Sequence, residues 1–307
     1  MKGSRHSVLD AIGNTPLVEL VNINTNPAVK VMAKVEGSNP GGSVKDRAAL
    51  YMIKQGEETG ELNPKKTIVE ATSGNMGIAL AMIGAVKGYK VKLFMPECVS
   101  QERRRVLEAF GAEIVLTPAK EVTDGAIKRA RKFVDQDPDN YFLPDQFSNQ
   151  GNTLAHYATT GPEIFAQTNG EVDVFIAGMG TTGTLMGIAR YLKEQKPSVK
   201  IVGVEPTVGH CIQGLKNMTE AIIPRIYNPA AMDEKITVQD EEAFDTARLL
   251  AIKEGLFVGM SSGAAVAIAL RLARGMKKGV VVTLLPDRGD RYLSTSLFRS
   301  ICAHCPP

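Results

Sequence analysis

The sequence predicts an α/β fold built from two three-layer α/β/α domains with mostly parallel sheets. Short runs of β-branched and aliphatic residues alternate with longer segments of helical pattern along most of the chain. Because parallel strands are joined by crossovers that usually contain a helix, this alternation is typical of parallel sheets covered on both faces. The chain has 307 residues, of which 44% are hydrophobic, and this is enough for two domains with cores of their own.

Periodicity and turn residues together place seven strands and eight helices. The strands are predicted at residues 30–36, 67–71, 90–95, 113–117, 173–177, 200–205 and 279–285. The helices are predicted at residues 44–58, 75–87, 100–110, 123–135, 152–167, 184–194, 240–254 and 262–274. Gly88 and Gly111 follow two of these helices, where the C-terminal cap favours glycine.

Two segments with little periodicity organise the chain. Residues 135–152 are rich in Pro, Asn, Gln and Asp, which predicts a boundary between domains at 1–150 and 151–307. Whether about the first 37 residues cross to the second domain stays open. Residues 209–233 carry scattered Gly, Pro and Asn, and we expect a long loop there that covers the site.

Composition argues against several classes of function. A net charge of only +3 and the absence of Trp give no support for nucleic-acid binding. The apolar runs are too short for a membrane span, and the first residues lack a secretory signal. Four cysteines predict a cytoplasmic protein without a disulfide scaffold. Cys302 and Cys305 form a C-x-x-C pair, which we interpret as a silent tail in preference to a metal or redox site, and no metal is expected.

A Pro-Gly-Gly turn at residues 40–42 places Lys45 in the first turn of a predicted helix. A lysine must lose its proton before it can bond to the carbonyl carbon of a cofactor, and partial burial lowers its pKa. Lys45 is therefore a candidate Schiff-base lysine. The alternative, a solvated lysine after a loop, is the more common role for a lysine considered alone.

A turn rich in glycine and threonine opens the helix that follows the strand at 173–177. Its residues are Gly180, Thr181, Thr182, Gly183 and Thr184. Backbone N–H groups and hydroxyls converge at such a helix start, where the helix dipole favours negative charge. The turn has neither the P-loop nor the dinucleotide glycine pattern, so it suits a single phosphate. A tight turn that needs glycine only for its backbone is the alternative.

Two further turns of small residues also lead into helices. Residues 72–77, Thr-Ser-Gly-Asn-Met-Gly, offer hydroxyls, an amide and backbone N–H groups to a carboxylate. In the turn at 259–263, Ser261 offers a neutral hydrogen bond to a pyridine nitrogen. In each turn the alternative is a helix N-cap, from Thr72 or Ser73 in the first and from a serine in the second.

Together these features point to one bound cofactor. A lysine, a phosphate site, a carboxylate site and a ring partner fit pyridoxal 5′-phosphate with an amino-acid substrate. Asp287 and Asp290 follow the last predicted strand. Two interpretations stay open: the aspartates face the site, or they lie in a solvated turn.

The chain resembles the β-family (fold type II) of pyridoxal-phosphate enzymes, whose fold is that of the tryptophan synthase β-subunit. Within this family it is similar to the cysteine synthases, or O-acetylserine sulfhydrylases, of the B-type. The similarity runs nearly from end to end and is carried by residues 13–17, 39–47, 72–77, 95–96, 100–104, 145–147, 155–157, 159–163, 180–184, 261–263, 287–291 and 292–295.

The resemblance implies a role for each candidate residue. Lys45 would form the Schiff base and remove the substrate α-proton, and Asn75 would bind the ring oxygen of the cofactor. Residues 180–184 would hold its phosphate, and Ser261 would contact its ring nitrogen. The substrate would be bound by Thr72, Ser73, Asn75, Met76 and Gln146.

The implied activity is a β-replacement that makes L-cysteine from O-acetyl-L-serine and sulfide, or thiosulfate, through an α-aminoacrylate intermediate. A homodimer is expected, with serine acetyltransferase a less expected partner for the B-type. Met76 departs from the family's usual threonine, and Lys216-Asn217 stands where the B-type often has an arginine pair. Lys216 or Arg225 would then supply the charge for an acidic substrate such as O-phosphoserine.

Other functions stay open on the sequence. The same cofactor serves O-phosphoserine sulfhydrylases, cystathionine β-synthases, β-cyanoalanine synthases and serine/threonine dehydratases. A regulatory protein that only binds the tail of serine acetyltransferase would be expected to lose Lys45, which is present. A nicotinamide dehydrogenase is disfavoured because G-x-G-x-x-G is missing.

Overall fold

A computed structural model describes residues 7–298 except 73, 98 and 100, and the side chains of these residues except at 101–103 and 122. The strands are β1 (Leu17–Glu19), β2 (Val29–Val35), β3 (Thr67–Ala71), β4 (Val91–Pro96), β5 (Glu113–Thr117), β6 (Tyr141–Phe142), β7 (Val174–Gly178), β8 (Lys200–Pro206), β9 (Glu234–Val238) and β10 (Gly279–Leu285). The α-helices are α1 (Lys45–Thr59), α2 (Asn75–Lys87), α3 (Gln101–Ala109), α4 (Val122–Asp135), α5 (Gln150–Ala155), α6 (Gly161–Gln167), α7 (Gly183–Gln195), α8 (Asp240–Glu254) and α9 (Met260–Gly275).

The strands form two sheets. In one, six strands lie in the order β1-β2-β10-β7-β8-β9, and every pair is parallel except β1 with β2. In the other, the order is β5-β4-β3-β6 and every pair is parallel. The predicted α/β fold with mostly parallel sheets is therefore confirmed. β2 pairs with the last strand, β10, and the division of the chain at residue 150 stays a prediction.

Helices cover both faces of each sheet. On β10, Val281 and Leu285 pack in one core with α8 and α9, whereas Val282 and Leu284 pack in another core with α7. In the smaller sheet, alternate residues of β3 and β4 likewise face α1 and α2 on one side and α4 on the other. Strands buried on both faces have continuous apolar sequences, which is why short apolar runs located them. No helix in the described ranges is long and apolar enough to cross a membrane.

The helix predicted at residues 152–167 is three segments in the structure. Between α5 and α6, residues His156–Thr160 form a π-helical turn, and the N–H of Gly161 donates to the carbonyl of His156 five residues earlier. The hydroxyl of Thr159 donates to the carbonyl of Ala155 at 2.5 Å, and Pro162 has no N–H to continue the α-helical pattern. Hydrophobic periodicity could not show this break, because both flanking segments remain helical.

A buried group of charged side chains joins β2 to α1 and α6. The guanidinium of Arg47 donates to both carboxylate oxygens of Glu36, at 2.8 and 2.9 Å, and to both of Glu163, at 2.6 and 2.8 Å. Lys34 Nζ lies 2.7 Å from a Glu163 oxygen and donates to the carbonyl of Thr15 at 2.6 Å. Two cations thus balance two carboxylates within the protein interior. One of the cations, Arg47, follows Lys45 by two residues.

Candidate active site

A cleft of about 780 Å³ lies at the carboxyl ends of strands from both sheets. It brings together residues that follow β3 and β7, the start of α1, and the loop between β8 and β9. Seven residues predicted for the site line it: Lys45, Thr72, Asn75, Met76, Gln146, Gly180 and Thr181. Ser73 lies outside the described residues.

Lys45 is the first residue of α1 and is half-buried in the cleft. Its Nζ lies 3.4 Å from the hydroxyl oxygen of Thr181. Burial lowers the pKa of Lys45 to about 8, although the nearby carboxyl group of Glu70 acts to raise it. Burial also raises the pKa of Glu70, to about 8. About a tenth of the amine is therefore neutral at pH 7, whereas an exposed lysine is almost entirely charged.

The turn before Lys45 is held by the helix that it precedes. The N–H of Gly41 donates to Asp46 at 2.5 Å, and the N–H of Val44 donates to the carbonyl of Pro286 at 2.8 Å. Gly42 has φ +78°, a conformation that glycine adopts without strain. Both the turn and the end of β10 thereby fix the position of Lys45.

The start of α7 has the features of a phosphate site. Thr182 has φ +69° and lies at the N-cap, and its buried hydroxyl has no hydrogen-bond partner among the described residues. The hydroxyl of Thr181 accepts from the amide of Asn152 at 2.9 Å. A Cβ on Gly180 would lie 2.5 Å from the carbonyl oxygen of Gly214, so only glycine fits there. The unpartnered hydroxyl at the N-terminus of a 13-residue helix fits a phosphate.

Thr184 is oriented by a histidine that the sequence analysis missed. Its hydroxyl lies 3.1 Å from Nε2 of His156, whose Nδ1 lies 2.9 Å from the hydroxyl of Thr160. Burial lowers the pKa of His156 well below its usual value, so the ring is neutral. Asn152 and His156 lie four residues apart in the helix predicted there, and this spacing on one helix face was the available signal.

Polar groups also converge where the substrate carboxylate is expected. The hydroxyl of Thr72 accepts from the N–H of Gly74 at 3.2 Å. Gln146 is buried beside the cleft, and its N–H donates to Glu70 at 3.2 Å. The side chain of Met76 is also buried, which leaves the N–H at the start of α2 as the group this residue can offer.

The amide of Asn75 is held at both ends. Its Nδ2 donates to Oδ2 of Asp287 at 2.6 Å, and its Oδ1 accepts from Arg291. Asp287 is buried, whereas Asp290 is exposed and pairs with Arg288 at 3.3 Å. Asp287 therefore lies behind the cleft wall, in contact with Asn75, and Asp290 lies in a solvated turn.

Ser261 is not among the residues that line the cleft. It is buried at the start of α9, and a Cβ on Gly214 would lie 3.7 Å from its hydroxyl oxygen. Gly214 does line the cleft, so Ser261 lies one residue behind the wall. Its contact with a ring nitrogen stays a prediction.

Lys216 and Arg225, the two candidates for an additional charge, differ in position. Lys216 lines the cleft, with its Nζ 3.2 Å from a carboxylate oxygen of Asp124 and 5.1 Å from the ring centre of Phe147. Arg225 is exposed and is not part of the cleft wall. Only Lys216 is therefore placed to meet a substrate, and its charge already has a partner.

Residues 8–287 match the family of pyridoxal-phosphate dependent enzymes. The chain belongs to this family. It is 48% identical to cysteine synthase B of Salmonella typhimurium over 287 residues, which are 94% of each protein. It matches the crystal structure of cysteine synthase from Entamoeba histolytica with a TM-score of 0.91 and 40% identity, over 97% of this chain and 91% of that one. O-ureido-L-serine synthase gives a TM-score of 0.90 and 40% identity, over 96% and 95%.

These similarities confirm the predicted family, its fold and its cofactor, and the resemblance to B-type cysteine synthases. The parts assigned to individual site residues stay predictions. Among residues 7–298, apart from the three undescribed positions, no group of three or more His, Cys, Asp or Glu side chains could hold a metal ion. Cys302 and Cys305 lie outside the described residues.

Proposed function

We propose that this chain is a cysteine synthase that makes L-cysteine from O-acetyl-L-serine and sulfide, with pyridoxal 5′-phosphate as its cofactor. The observation that carries the proposal is the pairing of Lys45 with the start of α7. Lys45, whose pKa burial lowers to about 8, lines the same cleft as Gly180 and Thr181, the first residues of the predicted phosphate site. The 48% identity to cysteine synthase B of Salmonella typhimurium supports the reaction.

The residues divide the binding of the cofactor among them. Lys45 would bond to its aldehyde carbon, and residues 180–184 would hold its phosphate through backbone N–H groups and the hydroxyl of Thr182. Asn75 would donate to its ring oxygen. Ser261 would meet its ring nitrogen as a neutral partner, which leaves that nitrogen largely uncharged. When bound, the cofactor withdraws electrons from the substrate α-carbon.

The remaining residues bind the substrate and move its proton. Thr72, Ser73, the N–H of Met76 and Gln146 would bind the substrate carboxylate, close to Asn75. Lys45 Nζ, once free, would take the α-proton and later return a proton to the product. A lowered pKa suits this task, because a base with a pKa near the working pH can both accept and release a proton.

A product assay tests this function. Protein loaded with pyridoxal phosphate should form cysteine from O-acetylserine and sulfide, and a parallel reaction with thiosulfate tests the second sulfur donor. Cystathionine from serine and homocysteine, cyanoalanine from cyanide, or a keto acid from threonine would each assign a different reaction to the same site. If none of these mixtures yields a product, the proposal is contradicted.

Lys216→Ala tests which activated serine is used. We expect kcat/KM with O-acetylserine to change by less than about threefold, because the ammonium of Lys216 is already paired with Asp124 and an acetyl group carries no charge. Arg225→Ala, at an exposed position off the cleft, is the control. A protein that prefers O-phosphoserine, and loses that preference in Lys216→Ala, would assign O-phosphoserine instead.

The rate of cofactor attachment should depend on the pKa of Lys45. Below pH 8 we expect the rate with cofactor-free protein to rise about tenfold per pH unit, since only the neutral amine reacts, and to level off above it. Stopped-flow absorbance measures this directly. A rate that still climbs at pH 10 would show that the lysine keeps its ordinary pKa of 10.5.

We also propose a homodimer in the cytoplasm, with serine acetyltransferase as a less favoured partner. The support is the similarity to cysteine synthases and the small number of cysteines, four in 307 residues. Sedimentation equilibrium of the loaded protein distinguishes a dimer from a monomer.

A further inference from the structure

We propose that Asp287 is a positioning residue that sets the orientation of the Asn75 amide and ties it to the segment carrying Lys45. The inference rests on the proposed function, because it takes Asn75 as the partner of the cofactor ring. Nothing in the sequence patterns assigns Asp287 such a part.

One carboxylate oxygen of Asp287 accepts two short hydrogen bonds. Oδ2 lies 2.6 Å from Nδ2 of Asn75 and 2.6 Å from the hydroxyl oxygen of Tyr292. The residue is 1% exposed, so water does not compete for these bonds. A carboxylate is an acceptor at both oxygens, and bonds to it are about twice as strong as bonds between neutral groups.

The other end of the same amide is fixed by a cation. Arg291 donates to Oδ1 of Asn75 and to the carbonyl of Gly41. A carboxylate on the nitrogen side and a guanidinium on the oxygen side leave the amide one stable orientation. Within the described part of the chain, Nδ2 donates only to Asp287, so its second N–H is available to a ligand in the cleft.

This orientation decides what Asn75 offers to the cofactor ring. With Asp287 present, an N–H remains to donate to the ring oxygen. If the amide turned over, its carbonyl oxygen would face that ring oxygen, and two acceptors would repel each other. Asp287 therefore acts through Asn75 and needs no contact with the cofactor itself.

The backbone around Asp287 links this amide to the catalytic lysine. The carbonyl of Pro286 accepts from the N–H of Val44, and Asp287 forms an antiparallel bridge with Ser43. Asn75 begins α2, after a strand of the four-stranded sheet, while Asp287 follows β10 of the six-stranded sheet. Through its side chain Asp287 contacts the ring partner Asn75, and through its main chain it pairs with the segment that precedes Lys45.

A double-mutant cycle on cofactor affinity tests the proposal. Cofactor-free wild type, Asp287→Ala, Asn75→Ala and the double variant are titrated with pyridoxal phosphate, and the visible absorption of the bound cofactor is recorded. We expect Asp287→Ala to bind about 10- to 100-fold more weakly, as for the loss of a charge-assisted bond, with a changed absorption band. Because Asp287 acts through Asn75, the double variant should bind no more weakly than Asn75→Ala.

Two further variants keep the test decisive. Asp290→Ala removes a carboxylate three residues away, at an exposed position, and should bind the cofactor like wild type. If Asp287→Ala does not fold, Asp287→Asn retains an acceptor oxygen and should show a smaller loss of affinity with the same dependence on Asn75.

The outcomes separate this inference from the function on which it rests. Wild type that binds no pyridoxal phosphate overturns both. Suppose instead that wild type binds the cofactor normally. The inference alone is then overturned if Asp287→Ala binds the cofactor like Asp290→Ala, or if its loss of binding free energy simply adds to that of Asn75→Ala. Loss of affinity in Asp287→Ala that vanishes in the Asn75→Ala background establishes it.

Discussion

Replacing Lys45 with alanine should lower kcat/KM for O-acetylserine by about 10⁴-fold, because one side chain holds the cofactor and moves the α-proton. No other lysine in the described ranges combines a place in the cleft with a pKa lowered to about 8. The measurement is the rate of cysteine formation in protein saturated with pyridoxal phosphate. The phosphate site at 180–184 is untouched, so the variant should still bind the cofactor, though without a bond to the protein.

Borohydride reduction followed by peptide mass mapping provides the control. In wild type, reduction should leave a pyridoxyl group on the peptide containing Lys45, and in Lys45→Ala on none. Lys54→Ala is the matched variant, since Lys54 lies exposed on the same helix, α1. It should keep full activity. A label on another lysine of the wild type, or an active Lys45→Ala, would refute the assignment.

Replacing Arg47 with methionine should lower the free energy of unfolding by about 3–5 kcal/mol, because it strands buried charges. Arg47 is 1% exposed and donates to Glu36 and Glu163. Methionine fills most of the space of Arg47, but the carboxylates of Glu36 and Glu163 then have only Lys34 as a positively charged neighbour in this group. Urea unfolding followed by circular dichroism, compared with wild type, gives the change.

The pH of this experiment follows from the state of Glu163. Burial opposes its charge, but bonds from Arg47 and Lys34 lower the pKa of Glu163 to about 2. A carboxylate with a lowered pKa stabilises the fold fully above its ordinary pKa of 4.5, and this contribution is lost as the pH falls toward 2. The comparison therefore belongs at pH 7. Arg190→Met, which breaks an exposed pair with Glu194, should be nearly neutral, and an equally small loss in Arg47→Met would contradict the account.

Much of the fold could be predicted because local signals and packing agree. The predicted bounds of α2, α8, β3, β5 and β10 match the structure, since each begins or ends beside a glycine, a turn or a charged cap. Three strands were missed. β1 and β6 have three and two residues, too few for a periodic pattern, and β9 is an edge strand that follows directly on the long loop.

The site was predictable where its chemistry lies within a short segment. Lys45, the turn at 72–77 and the turn at 180–184 each combine small residues with a helix start. Asn152, His156 and Arg291 were missed, because each acts on a residue that is far away in sequence: Thr181, Thr184 and Asn75. Only the packing of helices against each other and against the loop after β10 creates these contacts.

The visible absorption spectrum of the protein loaded with pyridoxal phosphate reports on the cofactor, Lys45 and the substrate in one experiment. We expect a yellow protein whose absorption band changes when O-acetylserine is added and returns when sulfide follows, with release of cysteine. In Lys45→Ala we expect no such cycle. A yellow protein that ignores O-acetylserine but responds to O-phosphoserine, serine or threonine would contradict the proposed substrate. A protein that takes up no pyridoxal phosphate would contradict the whole account.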